Sequence, residues 1–229
     1  MTKAARSAPK SSETEAKARA GSTRARTQAE RQDRILDVAV ELAEEGGFDN
    51  VRQRDVAAQA GVALGTLYRR FRSKEGLLCA ALEREAGALE RRMEDTPAKG
   101  ATAGDRVVSF FDIATKTLCK KPNFARAVIR AMASGEPEIA GDIAAYYGRL
   151  SGLVIAAMRG KGRLGYADAT TDPPAEHETT LSYLLLQVWY AALVGWSANL
   201  QPQKGVVDQI RSATTLILRG ITTAPPAAP

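Results

Sequence analysis

The stretch from Val51 to Leu78, VRQRDVAAQAGVALGTLYRRFRSKEGLL, constrains the fold more than any other part of the chain. Arg52 to Ala60 carries helix formers with Val56 and Ala60 on one face, and Gly61 stands where the chain must turn tightly. A second helix is expected over about Ala63 to Phe71, anchored by Leu67 and Phe71. At roughly two turns it cannot persist alone, so its neighbours must hold it. The rest of its surface presents Leu64, Gly65 and Thr66 first, then Tyr68, Arg69 and Arg70. Small groups at the N-terminal half and cations at the end suit a DNA major groove, where base edges meet the first turn and phosphates flank the rest. A short connector helix with a solvated basic end accounts for the same pattern as well.

Gly61, Gly65, Thr66, Leu67, Tyr68, Arg69, Phe71, Ser73, Lys74, Leu77 and Leu78, preceded by Arg54, Asp55, Val56 and Ala57, form a spaced motif. It resembles the signature of the TetR family of bacterial transcriptional regulators over Gln28 to Leu82. The resemblance implies an N-terminal helix-turn-helix that grips a palindromic double-stranded DNA operator as a homodimer. It also implies a C-terminal helical domain that binds a small molecule and releases the DNA. Carried onto this chain, Tyr68 and Lys74 become phosphate contacts and Arg54 a phosphate or base contact. Leu64, Gly65 and Thr66 approach base edges, with Arg52, Arg69 and Arg70 completing the DNA-binding set.

Two positions depart from the family pattern. Ala63-Leu64 stands where many members have Ser-Lys, which removes a hydroxyl N-cap and one cation from the recognition helix. Leu64 is suited instead to a thymine methyl. Gln53 takes a place that is usually apolar. The apolar residue at 64, the Lys121-Pro122 helix start and the Trp-rich penultimate helix are similar to the KstR-type subgroup, which governs sterol and lipid catabolism.

The composition fits this assignment without selecting it. With 229 residues and 45% hydrophobic content the chain can bury a substantial core. A formal net charge of +6 and a pI near 9.4 suit nucleic acid or an anionic surface equally. Two cysteines far apart, Cys79 and Cys119, indicate neither a disulfide framework nor a metal cluster, and a reducing cytoplasm is expected. The most apolar run, Tyr183 to Trp196, is too short to cross a bilayer, and no membrane partner is expected.

An all-α architecture follows, in four parts: a disordered basic tail over 1–26, a DNA-binding domain over 27–94, an effector-binding and dimerisation domain over 105–222, and a disordered end over 223–229. The tail carries seven Lys and Arg against two Glu and is either an arm that meets DNA or a solvated segment. Thr27-Gln28-Ala29-Glu30 has the form of a capping box that opens the first helix, which Gly46-Gly47 ends. Ser73 is placed to cap a fourth helix with the stripe Leu78, Leu82, Leu89 and Met93. Asp95 to Gly104 marks a boundary, Pro122 and Pro137 begin later helices, and Lys161 to His177 reads as a mobile loop. His177, the sole histidine, has no metal-spaced neighbours and is expected at the surface.

In the C-terminal domain, Phe110, Phe111, Met132, Tyr147 and Trp189 are the candidate ligand-binding residues. Plain core packing explains the adjacent aromatics as well as a pocket does. Arg126 and Arg130, one turn apart, are placed either to meet an anionic ligand end or to form a solvated face. The helix from Glu178 to Leu200 is apolar on two sides. Its second stripe, Tyr183, Leu186, Tyr190 and Val194, with Val206, Ile210, Ala213 and Ile217 of the last helix, fits a homodimer interface or a helix buried within one protomer.

No His-based triad, phosphate-binding loop or metal constellation is present in the sequence, so no catalytic residue, metal or cofactor is expected. The expected effector is a small hydrophobic molecule, with acyl-CoA or sterol-derived CoA thioesters first on the subgroup resemblance. The alternative is an architectural DNA-binding protein without effector control.

Overall fold

The protein is described by a computed structural model over residues 10–165 and 170–223, with side chains described over 26–165 and 170–220. Among the described residues all regular structure is helical: α1 (Lys10–Asn50), α2 (Gln53–Gln59), α3 (Leu64–Arg70), α4 (Lys74–Asp95), α5 (Ala103–Leu118), α6 (Pro122–Met132), a 3-10 turn (Pro137–Ile139), α7 (Ala140–Met158), α8 (Glu176–Ser197) and α9 (Gln203–Thr223). The backbone of Lys10–Arg26 is helical and continuous with the rest of α1. Ala, Glu, Lys and Arg dominate that stretch and no proline interrupts it, so Thr27 lies within α1 and does not open it, contrary to the capping box expected there. Residues 1–9 and 224–229 lie outside the described residues.

Local chemistry sets most boundaries. Gly47, at φ 71 and ψ −165, breaks α1 in a conformation that only glycine adopts readily, and this turns Phe48 and Asp49 toward the rest of the protein. Gly61, at φ 64, makes the turn between α2 and α3, where the Val62 amide donates to the Ala57 carbonyl at 3.0 Å. The Ser73 hydroxyl accepts from the Gly76 amide at 3.0 Å and starts α4 as expected. Thr102 and Asp105 form a reciprocal capping box at α5, which the sequence reading did not pick out.

One continuous core runs through the molecule. Ile35, Leu36, Ala39, Val56, Leu67 and Leu78 seal the N-terminal head, and Phe110, Phe111, Leu150, Leu185 and Ile210 seal the C-terminal domain. Helix α6 packs on α1 and α4, α7 against α4, α5 and α8, and α9 along α8 and α5. Val206 and Ile210 are fully buried within the protomer, as is Leu186, so these are core residues and the interface reading for them is corrected. The described end of the 161–177 loop is tethered. Arg159 donates to Glu178 at 2.6 Å and to Asp172 at 3.0 Å, and α8 already begins at Glu176.

Candidate nucleic-acid interface and effector cavity

Helix α3 buries one residue fully, Leu67, and Phe71 at its C-cap is nearly buried. Everything else faces outward: Leu64 is 39% and Tyr68 47% accessible, and Gly65, Thr66, Arg69 and Arg70 are exposed. The N-cap Ala63 makes no side-chain cap, as its missing hydroxyl implies. Gln53 compensates for its polarity directly, because its Nε2 donates to the Phe71 carbonyl at 2.7 Å and fastens the end of α3 to α2. A hydrogen bond thus replaces the apolar packing expected there.

The cations of this face differ in freedom. Arg52 is exposed. Arg54 is 70% exposed and pairs with Asp55 at 3.2 Å. Arg69 donates to the Thr66 hydroxyl at 3.2 Å, whereas Arg70 reaches back to Gln32 of α1. Lys74 is less open than its expected role implies: its side chain is 31% exposed, and its Nζ lies 3.8 Å from Asp49 and 3.8 Å from the Phe48 ring centre. Between α1 and α3 runs a groove of about 560 Å³ lined by Gln28, Arg31, Gln32, Thr66, Arg69 and Arg70. Arg31 was not among the sequence candidates; its position one turn from Gln28 on the polar side of α1 is the signal that locates it.

In the C-terminal domain a cavity of about 190 Å³ lies among α4, α5, α6, α7 and α8. Leu82, Ala86 and Leu89 of α4, Ala114 and Leu118 of α5, Phe124, Tyr146, Leu150 and Trp189 form its apolar wall. Its polar groups are Thr117, Glu85, Lys120 and Lys121. The Thr117 hydroxyl is buried and has no hydrogen-bond partner among the described residues, while both lysines are exposed. Behind the cavity a void of about 20 Å³ is lined by Met132, Tyr147 and Tyr190 and shares Leu82, Leu118, Tyr146 and Trp189 with it.

Of the sequence candidates, Trp189 therefore lines both spaces, and Met132 and Tyr147 line the inner void. Phe110 and Phe111 line neither. They form an edge-to-face pair 5.2 Å apart, with Phe111 5.6 Å from Trp189, and fill the space behind the wall. Trp189 is fixed in place: its Nε1 donates to the Thr115 hydroxyl at 2.9 Å, and that hydroxyl donates to the Phe111 carbonyl at 2.6 Å. Burial raises the phenol pKa of Tyr146 and pushes that of Tyr147 up to about 12, so these walls stay uncharged at neutral pH.

Arg126 and Arg130 line no part of the cavity. Arg126 lies 5.0 Å from the Trp196 ring centre and donates to the Ser197 carbonyl at 3.3 Å, and Arg130 pairs with Asp49 at 2.8 Å. Arg130 keeps a largely exposed side chain on this surface, and both arginines border a surface hollow beside Phe48 rather than the apolar cavity. Tyr183, Leu184 and Val194 of α8, with Leu216 of α9, leave an exposed apolar face. His177 is exposed, and among the described residues no cluster of three or more His, Cys, Asp or Glu has metal-binding geometry. No described helix is long and apolar enough to cross a membrane.

A glycine-turned helix pair with an outward-facing second helix, on a larger helical domain, defines a helix-turn-helix type of DNA-binding regulator. Residues 35–81 match the family described as "Bacterial regulatory proteins, tetR family", and residues 100–217 match "Tetracyclin repressor-like, C-terminal domain". The chain belongs to the TetR family of transcriptional regulators. It is 29% identical over 191 residues to the HTH-type transcriptional repressor KstR of Rhodococcus jostii, covering 83% of this chain and 84% of that protein. The crystal structure of a TetR transcriptional regulator from Rhodococcus sp. RHA1 superposes with a TM-score of 0.70 at 27% identity, covering 85% of this chain and 98% of the other. The FadR repressor of Thermus thermophilus, solved in complex with lauroyl-CoA, shares the fold with a TM-score of 0.64 at 16% identity, covering 86% and 98% of the two chains.

Proposed function

We propose that the protein is a cytoplasmic repressor in which two protomers hold a palindromic operator and an amphiphilic effector releases it. The observation that carries the effector reading is the cavity of about 190 Å³, lined by apolar side chains and bordered by the charged groups Glu85, Lys120 and Lys121. The effector is accordingly an apolar body bearing an anionic end for Lys120 and Lys121. Acyl-CoA and sterol-derived CoA thioesters have this form, and the lauroyl-CoA bound by the Thermus thermophilus FadR supports the class. Trp189 contacts the chain or ring system, with Met132 and Tyr147 backing it from the small void behind. An architectural protein without effector control has no use for such a space.

On the DNA side, Leu64, Gly65 and Thr66 meet base edges, and Arg52, Arg54, Tyr68, Arg69 and Lys74 meet the backbone, with Arg70 positioned through Gln32. The face of Tyr183, Leu184, Val194 and Leu216 joins the two protomers, since an exposed apolar patch of this kind marks an association surface. The test begins with a duplex selected by the protein from a random pool. Selection should yield an inverted repeat, and a lauroyl-CoA or sterol-acid CoA thioester should release it while free CoA does not. Release by hydrophilic sugars or amino acids and by no lipid would overturn the effector class.

A further inference from the structure

Lys74, proposed above as a phosphate contact, shares both of its protein partners with a residue of the effector domain. Its Nζ lies 3.8 Å from the Phe48 ring centre, and the Arg130 guanidinium carbon lies 4.4 Å from the same ring. Asp49 is 2.8 Å from Arg130 and 3.8 Å from Lys74. One carboxylate and one aromatic ring are thus divided between two cations. Arg130, foremost as a hydrogen-bond donor, holds the Asp49 carboxyl below the usual carboxylate range.

The two cations sit on elements that belong to different parts of the protein. Lys74 opens α4 directly after the recognition helix, and Arg130 lies in the last turn of α6. The other end of α6 borders the cavity through Lys121 and Phe124. That end is tied to the close of α1, because the Glu44 carboxylate accepts from the Asn123 and Phe124 amides at 3.0 Å and the Glu44 carbonyl accepts from Asn123 Nδ2 at 2.8 Å. From Phe124 to Arg130 is six residues, roughly 9 Å along the axis. With that end held to α1, a tilt of α6 pivots there and displaces its far end, moving Arg130 relative to Asp49 and Phe48, beside Lys74.

We infer that Arg130 is a positioning residue for DNA binding: by occupying Asp49 and sharing Phe48, it leaves the Lys74 ammonium available to phosphate. When α6 moves and Arg130 withdraws, Asp49 and Phe48 hold Lys74 by themselves and compete with the DNA for it. The inference rests on the phosphate role of Lys74 proposed above. Arg130 and Asp49 are largely exposed and Lys74 partly so, and screening by solvent therefore limits the effect to about two- to fivefold in operator affinity.

The test is a mutant cycle on the selected operator duplex without effector, read by fluorescence anisotropy across a salt series. Arg130→Gln should weaken binding about two- to fivefold and flatten the salt dependence, and Arg130→Lys should restore most of it. Adding Asp49→Asn to Arg130→Gln should recover affinity, although it gives neither residue a new partner. In a Lys74→Ala background Arg130→Gln should change nothing. A Lys74→Ala protein of wild-type affinity overturns the phosphate reading and the inference with it. A weakened Lys74→Ala protein in which Arg130→Gln costs as much again, or no effect of Arg130→Gln in either background, overturns the inference alone.

Discussion

The recognition helix and the effector cavity are built on opposite plans. Helix α3 uses one fully buried side chain, Leu67, to hold up a surface on which nearly every other residue faces solvent. The cavity is lined by residues of five helices, most of them buried, and the proposed ligand site is the space they leave. On α3, function follows from the identity of each side chain, and a residue can be changed without disturbing its neighbours. Around the cavity, binding and folding depend on the same packed side chains, so a change to one reaches the other.

The largest expected effect tests that contrast in the core. Phe111→Ala should destabilise the protein by about 3–5 kcal/mol, because it leaves a hole beside Trp189 and removes an aromatic pairing. Leu67→Ala should cost about 2–5 kcal/mol, whereas Leu64→Ala, on the same helix, should stay within about 0.5 kcal/mol in urea unfolding. Equal costs for the two leucines would break the comparison. Tyr68→Ala should leave unfolding unchanged and weaken operator binding by about 1.5 kcal/mol, roughly tenfold, without altering the preferred sequence. A footprint as strong as wild type at moderate salt would remove Tyr68 from the DNA-binding set.

Val194→Glu places a charge on the exposed apolar face of α8 and should yield monomers in sedimentation, with weakened operator binding and an intact fold. A persistent dimer would move the interface elsewhere. The smallest effect concerns the N-terminal 26 residues, with their seven Lys and Arg. Deleting them should reduce the slope of log K against log salt by about 0.9 for every phosphate that the segment neutralises, with the operator preference unchanged. Identical slopes would show that this segment neutralises none.

What the sequence disclosed divides along the same line. The two helices around Gly61, the Ser73 cap, the Pro122 start and the boundary after Asp95 were legible because each is set by residues close together in the chain. Residue type likewise marked the exposed surface of α3. The cavity was only partly legible. Aromatic content nominated Phe110 and Phe111, but whether an aromatic lines a space or fills it depends on packing partners far away in sequence, and these two fill it. Thr117, Lys120 and Lys121 gave no signal, since an unsatisfied hydroxyl is recognised only once its surroundings are seen. Arg126 and Arg130 looked like a pair on one face, yet their partners Asn199 and Asp49 lie 73 and 81 residues away, in opposite directions along the chain. The backbone helix reaches back to Lys10, in a stretch without large apolar residues whose Ala, Glu, Lys and Arg favour helix locally.

The central claim, that occupancy of the cavity governs DNA binding, is tested most directly by titrating lauroyl-CoA or a sterol-acid CoA thioester into the preformed operator complex. The wild type is compared with Ala114→Leu, which extends a side chain into the cavity from α5, away from the DNA-binding head. Ligand-free affinity and thermal unfolding are measured alongside. Release from the wild type that is abolished or shifted to much higher ligand concentration in Ala114→Leu is the predicted result. Release at the same concentration from both proteins would contradict the account, because the ligand would then be acting outside the cavity.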